Sequence, residues 1–272
     1  MLTDNTGRFE FGQNWSRFLA TVDETKICHA REKLYELVGD LRGKSFLDIG
    51  SGSGIHSLAA IQLGAGRVLS FDYDPQCVAC TNVLKQRFAP LANWQIERGS
   101  ALDASYMDSI GKFDVVYSWG VLHHTGNMWK SLECIISPAK ETLAIALYDD
   151  RGGMSRLLLA WKKLYVHSPR FVQKFLEGLT FAVTWGKAFL FRPVRTYKNW
   201  KEYSQNRGMS PWHDVVDLAG GFPFEVAQPS EVFAFYYERG FMLTKLNTVT
   251  RHGLNEFVFR RATPQTPERR EL

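Results

Sequence analysis

The sequence predicts an α/β protein with a doubly wound, mostly parallel sheet of seven strands. Short apolar segments alternate with segments whose apolar residues recur at helical spacing, and parallel sheets are built from this alternation. A glycine-rich turn, "DIGSGSG", joins the first of these strands to the next helix. Two alternating apolar segments near the C-terminus close the sheet. We also expect a helical insert after the fifth strand and an N-terminal helical cap.

The predicted elements follow in a regular order. Strands are expected at Ser45–Ile49, Arg67–Phe71, Trp94–Arg98, Phe113–Trp119, Glu141–Leu147, Phe241–Val249 and Asn255–Arg260. Helices are expected at Phe18–Asp40, Ser53–Leu63, Pro75–Arg87, Ser105–Ile110, Asn127–Ile136 and Pro229–Arg239. The chain is accordingly divided into a cap (1–43), a core (44–150), an insert (151–207), a substrate loop with the closing strands (208–262) and a disordered tail (263–272).

The composition is that of a globular chain. Its 272 residues are 45% apolar and 14% aromatic, enough to bury a sizeable core. Neither a signal peptide nor an apolar stretch long enough to span a bilayer is recognisable, so we expect a cytoplasmic protein. Cys28, Cys77, Cys80 and Cys134 have the spacing of neither a disulfide framework nor a metal tetrad. Reduced thiols and no metal site are expected.

The positive charge is concentrated in the insert. Residues 151–207 contain 12 Lys and Arg against Glu177 and Glu202, a net charge of +10, whereas the whole chain carries +5. Trp161 and Trp185 lie among apolar residues at helical spacing in the same segment. Such a segment suits a lid over a binding site, a helix at an anionic membrane surface, or a contact with RNA. The composition leaves all three open.

The glycine-rich turn does not have the spacing of a dinucleotide site. In G-x-G-x-x-G two residues separate the second and third glycines, but counting from Gly50 and Gly52 the third position is Ile55. The spacing Asp48, Gly50, Gly52, Gly54 instead lets the backbone approach a ligand closely. Asp72 ends the second strand, where a carboxylate can accept both hydroxyls of a ribose. A nucleoside-containing ligand is therefore predicted at this edge.

Four motifs in order, "FLDIGSGSG", "LSFDYDP", "ERGSALD" and "FDVVYSWGVLHHTGN", resemble the class I S-adenosylmethionine-dependent methyltransferases. The resemblance covers roughly residues 45–147, and the closing strands fit that family's final antiparallel pair. It implies a Rossmann-like methyltransferase fold with S-adenosylmethionine as cofactor. Within the family the chain is most similar to the small-molecule branch that contains the ubiquinone and menaquinone methylases.

The resemblance assigns cofactor-binding residues to three strand ends. It implies that the turn Gly50–Gly54, including Ser51 and Gly52, lies under the methionine part of the cofactor, and that Asp48 holds its ammonium directly or through water. Asp72 would bind the ribose and Tyr73 would pack on the adenine. The adenine amino group would meet Ser100 or Asp103, with Asp103 favoured and the Ala101 backbone beside it. Trp119 completes the predicted site.

Methyl transfer needs a base only when the nucleophile arrives protonated, and alignment alone supplies much of the rate. His123 and His124 follow the fourth strand at the edge where ligands bind, and His124 is the preferred base. His213, beside Asp214, competes for the role, although adjacent residues do not generally face each other. Tyr148 follows the fifth strand and is a further candidate.

The expected reaction is O-methylation of a small or lipid-linked hydroxyl acceptor, such as a quinol, phenol or sugar. The expected contacts are peripheral membrane binding through residues 151–207 and no nucleic acid. The alternatives are RNA methylation through the basic insert and N- or carboxylate methylation of a small molecule.

Overall fold

The structure, a computed structural model, describes residues 9, 11–207, 211–249 and 253–262. Its strands are β1 Ser45–Ile49, β2 Arg67–Asp72, β3 Trp94–Arg98, β4 Phe113–Trp119, β5 Ala139–Tyr148, β6 Phe241–Asn247 and β7 Leu254–Arg261. Its helices are α1 Phe11–Leu19, α2 Glu24–Val38, α3 Ile55–Gln62, α4 Pro75–Phe88, α5 Ala104–Ser109, α6 Met128–Cys134, α7 Gly153–Val166, α8 Arg170–Phe181, α9 Lys187–Phe191, α10 Pro193–Arg207, α11 Pro211–Gly220 and α12 Pro229–Tyr237. The tail predicted to be disordered lies outside the described residues.

The seven strands form one sheet in the order β3-β2-β1-β4-β5-β7-β6. Strands β1 to β5 are parallel to their neighbours, and β7 is antiparallel to both β5 and β6. The predicted doubly wound, mostly parallel sheet is thus confirmed. Strand order reverses between β1 and β4, and ligands of open α/β sheets bind at the carboxyl ends of strands at such a reversal.

Both faces of the sheet are covered by apolar clusters. One contains Phe71, Phe113 and Phe259, packed with residues of α5, α6 and α12. The other joins the opposite face to α2, α3 and α4 through residues such as Leu34 and Trp94. Burial on both faces explains why the parallel strands read as nearly continuous apolar segments.

One helix occupies a segment that the sequence predicts to be a loop. Pro211 begins α11, and proline is favoured in a first turn because its missing N–H has no helical acceptor to meet. Val216 and Ala219 of α11 are buried with Tyr165 and Leu176 of the insert and with Phe9. The expected substrate loop is therefore largely a helix that joins the insert to the core.

Helix α8 turns its large apolar side chains outward. Phe171 is 77% exposed and Phe175 is 69% exposed, whereas Gln173, Glu177 and Thr180 are buried. The buried polar face is stabilised by hydrogen bonds, since the Tyr165 hydroxyl donates to Glu177 Oε1 at 2.9 Å. The predicted helical insert is present, but of the apolar side chains of α8 only Leu176 is buried, while Phe171 and Phe175 are exposed. None of the described helices combines the length and the apolar character that crossing a bilayer requires.

Gly54→Ala is expected to destabilise the fold more than Gly111→Ala. Both glycines have φ near +80°, where a side chain costs about 1 kcal/mol or more. A Cβ at Gly54 would also lie 2.7 Å from Thr81 Cγ2, whereas nothing lies within 4 Å of one at Gly111. Overpacking adds about 1–3 kcal/mol at Gly54 alone. Urea unfolding of both variants measures the difference, and equal losses would contradict the close packing of this turn.

Candidate functional site

A cavity of about 1020 Å³ opens at the carboxyl ends of the parallel strands. Its floor is formed by the turns after β1, β2, β3 and β4. Side chains of α1, of the insert and of the turn between β6 and β7 form its walls, including Trp15, Trp185, Tyr203 and Asn247. The strand reversal thus has the large concave site expected there.

The glycine-rich turn contributes backbone to the floor. Gly50 and Gly52 line the cavity and have φ of 74° and 55°, a region that favours glycine. The indole of Trp15 lies over Gly52, where a Cβ would be 2.9 Å from Trp15 Cε2. Ser51 also lines the cavity, but Gly54 does not. Gly54 instead starts α3 and packs against Thr81, so its role is in folding the turn.

Asp72 joins the ends of β1 and β2. Its Oδ2 accepts a hydrogen bond from the Gly52 N–H at 3.0 Å, and its Oδ1 accepts one from the Asp74 N–H at 2.9 Å. Burial raises the pKa of the Asp72 carboxyl to about 6. Tyr73 lies beside it in the cavity wall and is half-exposed, with the Arg98 guanidinium 5.8 Å from its ring centre.

Asp48 does not line the cavity. Its carboxylate accepts a hydrogen bond from the Ser57 hydroxyl, which also contacts the Ser70 hydroxyl at 2.6 Å. The Trp94 indole N–H donates to Ser70 at 2.7 Å. Burial raises the pKa of Asp48 to about 7. From this position Asp48 does not directly contact a ligand ammonium in the cavity. A contact through water stays a prediction.

The adenine-side residues are arranged differently from the preferred assignment. Ser100 and Ala101 line the cavity, but Asp103 does not. Asp103 is the N-cap of α5, and its Oδ1 accepts from the Tyr106 N–H at 3.1 Å. Its carboxylate is committed to the helix start, so Ser100 is the better-placed polar side chain. Trp119 lies in the wall, and its indole donates to Glu256 Oε1 at 2.9 Å.

The structure brings His123, His124 and Tyr148 together in the wall of the cavity. The His123 ring centre lies 4.3 Å from those of His124 and Tyr148. His124 Nδ1 is 2.6 Å from the Pro223 carbonyl oxygen, which can only accept. Nδ1 therefore carries the proton, and in the neutral ring the lone pair is on Nε2.

His123 is completely buried, and neither of its ring nitrogens has a hydrogen-bond partner among the described residues. Burial moves its pKa well below the usual value, so the ring is neutral. His213 lies in α11, but its side chain is outside the described part of the chain. Asp214, beside it, accepts a hydrogen bond from the Tyr203 hydroxyl. Roles for His123 and His213 remain predictions.

Two residues in or beside the cavity wall were not predicted from the sequence. His56, at the start of α3, lies between Tyr117 and Trp119, with ring centres 5.2 Å and 6.1 Å away. Burial lowers its pKa to about 4. Lys162 of α7 is 1% exposed and lines a small neighbouring pocket, not the cavity itself, and in the sequence it is only one of the insert's positive charges. No sequence signal marks either residue, because both positions depend on how distant segments pack.

The cysteines are free thiols, and Cys77 and Cys80 are buried. Among residues that the structure describes, no group of three or more His, Cys, Asp or Glu is arranged to hold a metal ion.

The sequence matches to known proteins cover only part of the chain. The model of the family "Ribosomal protein L11 methyltransferase (PrmA)" matches residues 23–116. Ribosomal protein L11 methyltransferases of Xanthomonas oryzae and Xanthomonas campestris are 51% and 47% identical over 61 and 58 residues, which is 22% and 21% of this chain. The matched stretches span only about a fifth of these relatives' length, 20% and 19%.

Solved structures resemble the chain over most of its length. Magnesium protoporphyrin IX methyltransferase from Synechocystis PCC 6803, with bound SAH, has a TM-score of 0.55 at 17% identity and covers 92% of this chain and 94% of its own. A methyltransferase in complex with the Haloferax volcanii Trm112 activator has a TM-score of 0.56 at 14% identity, covering 93% and 96%. The chain has the class I methyltransferase fold. At these identities the likeness concerns the fold alone.

These comparisons correct two of the predictions made from the sequence. The sequence matches are to ribosomal protein L11 methyltransferases, not to the ubiquinone and menaquinone branch. The predicted partners, a small or lipid-linked acceptor with membrane contact through residues 151–207, are wrong on this comparison, because the matched relatives are named for a protein substrate. The motifs that carried the resemblance lie mainly in the cofactor half, which is shared across branches and does not identify the acceptor.

Asp48→Asn should make the free energy of unfolding less dependent on pH. The pKa of Asp48 is about 7 in the fold, against 3.8 for an ordinary aspartate, so the folded state holds this proton more tightly. Wild-type stability then falls as pH rises from about 4 through 7, and asparagine removes that loss. Between pH 5 and pH 8 the variant should gain about 2 kcal/mol relative to wild type. Urea unfolding across this range tests it, and parallel curves would contradict it.

Proposed function

We propose that the chain is an S-adenosylmethionine-dependent methyltransferase that modifies a ribosomal protein. The observation that carries the proposal is one continuous cavity lined both by the glycine turn and Asp72 and by the His123–His124–Tyr148 cluster. Its volume, about 1020 Å³, is at the upper end of the usual range for small-ligand sites, so it offers room for a cofactor and an acceptor group.

The residues around the glycine turn fit S-adenosylmethionine. Gly50 and Gly52 line the cavity with backbone conformations that are disfavoured for other residues, and a Cβ at either position would collide with Val121 or Trp15. Asp72 offers carboxylate oxygens for ribose hydroxyls, and Ser100 and Ala101 border the place for the adenine. The bound cofactor supplies a methyl group on a sulfonium, which is a good leaving group. Structural relatives with bound SAM or SAH support this assignment.

His124 is the proposed proton acceptor. Its Nδ1–H is held by the Pro223 carbonyl, which leaves the Nε2 lone pair as the basic site of the neutral ring. An amine is protonated at neutral pH and must lose a proton before it can attack a methyl group. Phe11 packs on the imidazole with ring centres 5.0 Å apart and limits access of water from that side. Alignment by the cavity walls supplies the rest of the rate.

The neighbouring His123 is the proposed contact for the acceptor. A buried polar group without a partner costs roughly 1–3 kcal/mol, and a ligand that supplies the partner recovers this energy. His123 lines the cavity between His124 and Tyr148, where the acceptor group must lie to reach the methyl group. A backbone N–H or carbonyl of a polypeptide beside the modified residue suits a neutral imidazole, which both donates and accepts.

The surface of the insert favours a large acceptor. The net charge of +10 in residues 151–207 creates a field that attracts the RNA phosphates surrounding a ribosomal protein. Thr184, Trp185 and Tyr203 of the insert line the cavity, so the same segment also borders the site. The names of the sequence relatives support a ribosomal protein as acceptor. Such a substrate would place the enzyme in the cytoplasm.

Asp72→Asn should weaken S-adenosylmethionine binding by about tenfold or more. The variant loses one carboxylate oxygen while the ribose hydroxyls still require acceptors. Asp103→Asn is the matched control, since asparagine preserves the α5 cap and position 103 lies outside the cavity. Calorimetry should show unchanged affinity for this control. Equal affinity for Asp72→Asn would overturn the ribose assignment, and a matching loss for Asp103→Asn would restore Asp103 to the adenine site.

The acceptor class is tested with tritiated S-adenosylmethionine. The enzyme is incubated separately with free ribosomal protein L11, isolated ribosomal subunits and protein-free ribosomal RNA. We expect acid-precipitable label in protein that survives nuclease treatment. Label found only in nuclease-sensitive material would show that RNA is the acceptor and would overturn the proposal, as would the absence of label from all three.

The same assay tests His124. His124→Gln should lower labelling about 10²-fold while cofactor affinity is unchanged, because only proton removal is lost. His167→Gln is the control, since this exposed histidine of the insert also has Nδ1 near a carbonyl, that of Lys163 at 2.8 Å, but lies outside the cavity. Full labelling by His124→Gln would show that histidine is not the base.

A further inference from the structure

Lys162 is an unusual feature of the insert because its ammonium is buried. The side chain is 1% exposed, and Nζ donates to the Leu218 carbonyl at 2.7 Å and to the Asp217 carbonyl at 3.2 Å. Nζ also lies 5.1 Å from the centre of the Phe224 ring. Both carbonyls belong to the last turn of α11, which favours a positive charge, and the Asp217 carbonyl also accepts from the Gly221 N–H at 2.8 Å. Lys162 therefore caps the C-terminus of α11 from a different helix.

The residues that follow α11 lead directly to His124. Gly221 separates Lys162 from the imidazole, since a Cβ there would lie 3.4 Å from Lys162 Nζ and 3.2 Å from His124 Cε1. Two residues later, the Pro223 carbonyl accepts from His124 Nδ1 at 2.6 Å. Two residues after Pro223, the Glu225 N–H donates to the His123 carbonyl at 2.9 Å. The segment 221–225 thus crosses the histidine pair and is anchored at its start by Lys162.

We propose that Lys162 is a positioning residue for His124: by holding the end of α11 it places the Pro223 carbonyl that fixes the tautomer and orientation of the imidazole. The inference rests on the proposed function only in treating His124 as the base. Because the anchoring ammonium comes from α7, the insert would help to orient His124 as well as border the cavity. The ammonium also disfavours a second positive charge on the nearby imidazoles.

Several titratable groups lie around His124 and influence its protonation. His123 of the turn after β4, Tyr148 of β5 and Lys162 of α7 are the titratable groups placed around it. His123 is neutral because it is buried, and the Lys162 charge lowers its pKa further. Burial lowers the pKa of Lys162 itself to about 7, although the Asp217 carboxylate acts on Lys162 in the opposite direction and raises its pKa. Lys162 is therefore charged below about pH 7, and in that range removal of its charge should make protonation of His124 easier.

The test is nitrogen NMR of the full chain labelled with ¹⁵N-histidine, with His124→Gln used to assign the signal. In wild type we expect the Nδ1–H tautomer of a neutral His124. Lys162→Met removes both the anchor and the charge, so the signal should become a mixture of tautomers, and its pKa should rise by about half a unit to one unit. Lys162→Gln keeps a donor without the charge and should retain the tautomer while the pKa still rises.

Lys163→Met is the matched control, because Lys163 is the neighbouring, exposed lysine of the same helix. It should change neither the tautomer nor the pKa of His124. If Lys162→Met does not fold, as judged by circular dichroism, Lys162→Gln decides the outcome. A wild-type His124 in the Nε2–H form, or spectra of the folded Lys162 variants identical to wild type, would overturn the inference. These spectra require neither cofactor nor acceptor, so failure of methyl transfer would overturn the proposed function separately.

Discussion

The hydrogen bond from the Gly52 N–H to Asp72 connects the two strand ends on which the cofactor half depends. It closes the turn after β1 against the end of β2, and a second bond to the Asp74 N–H orders the start of α4. A carboxylate with two backbone donors is held in one orientation, while its buried position makes ionisation costly. The same contact therefore shapes the turn and presents an acceptor to the cavity.

The His123–His124–Tyr148 cluster is assembled from distant parts of the chain. No single motif contains it, since His123 and His124 follow β4, Tyr148 ends β5, and the carbonyl that orients His124 lies about a hundred residues later in the chain. Packing of α11 against the insert brings that carbonyl into place. The insert is thus coupled to the site through its buried face, whereas Phe171 and Phe175 of α8 are exposed on its outer side.

Helix α8 shows why amphipathic spacing does not reveal which face is buried. Its exposed apolar residues recur every four positions, which indicates a helix, but the buried face combines Leu176 with the polar residues Gln173, Glu177 and Thr180. Lys174 and the Tyr165 hydroxyl satisfy the Glu177 carboxylate, and this pairing makes burial of a polar face tolerable. Such pairing joins two helices and cannot be read from either alone.

The sequence by itself determined the order of strands and helices, the seven-stranded sheet and the glycine turn, because these follow from local periodicity and from backbone conformations that only glycine adopts readily. It also identified Asp72, Ser100, His123 and His124 as candidates, since the ends of parallel strands must meet at one edge. Only the tertiary structure decided that Asp48 and Asp103 turn away from the cavity, that the segment after Pro211 is a helix, and that Lys162 is buried beside His124. Those outcomes depend on hydrogen bonds and packing between segments distant in the chain, and no local pattern encodes which distant partner a side chain will meet.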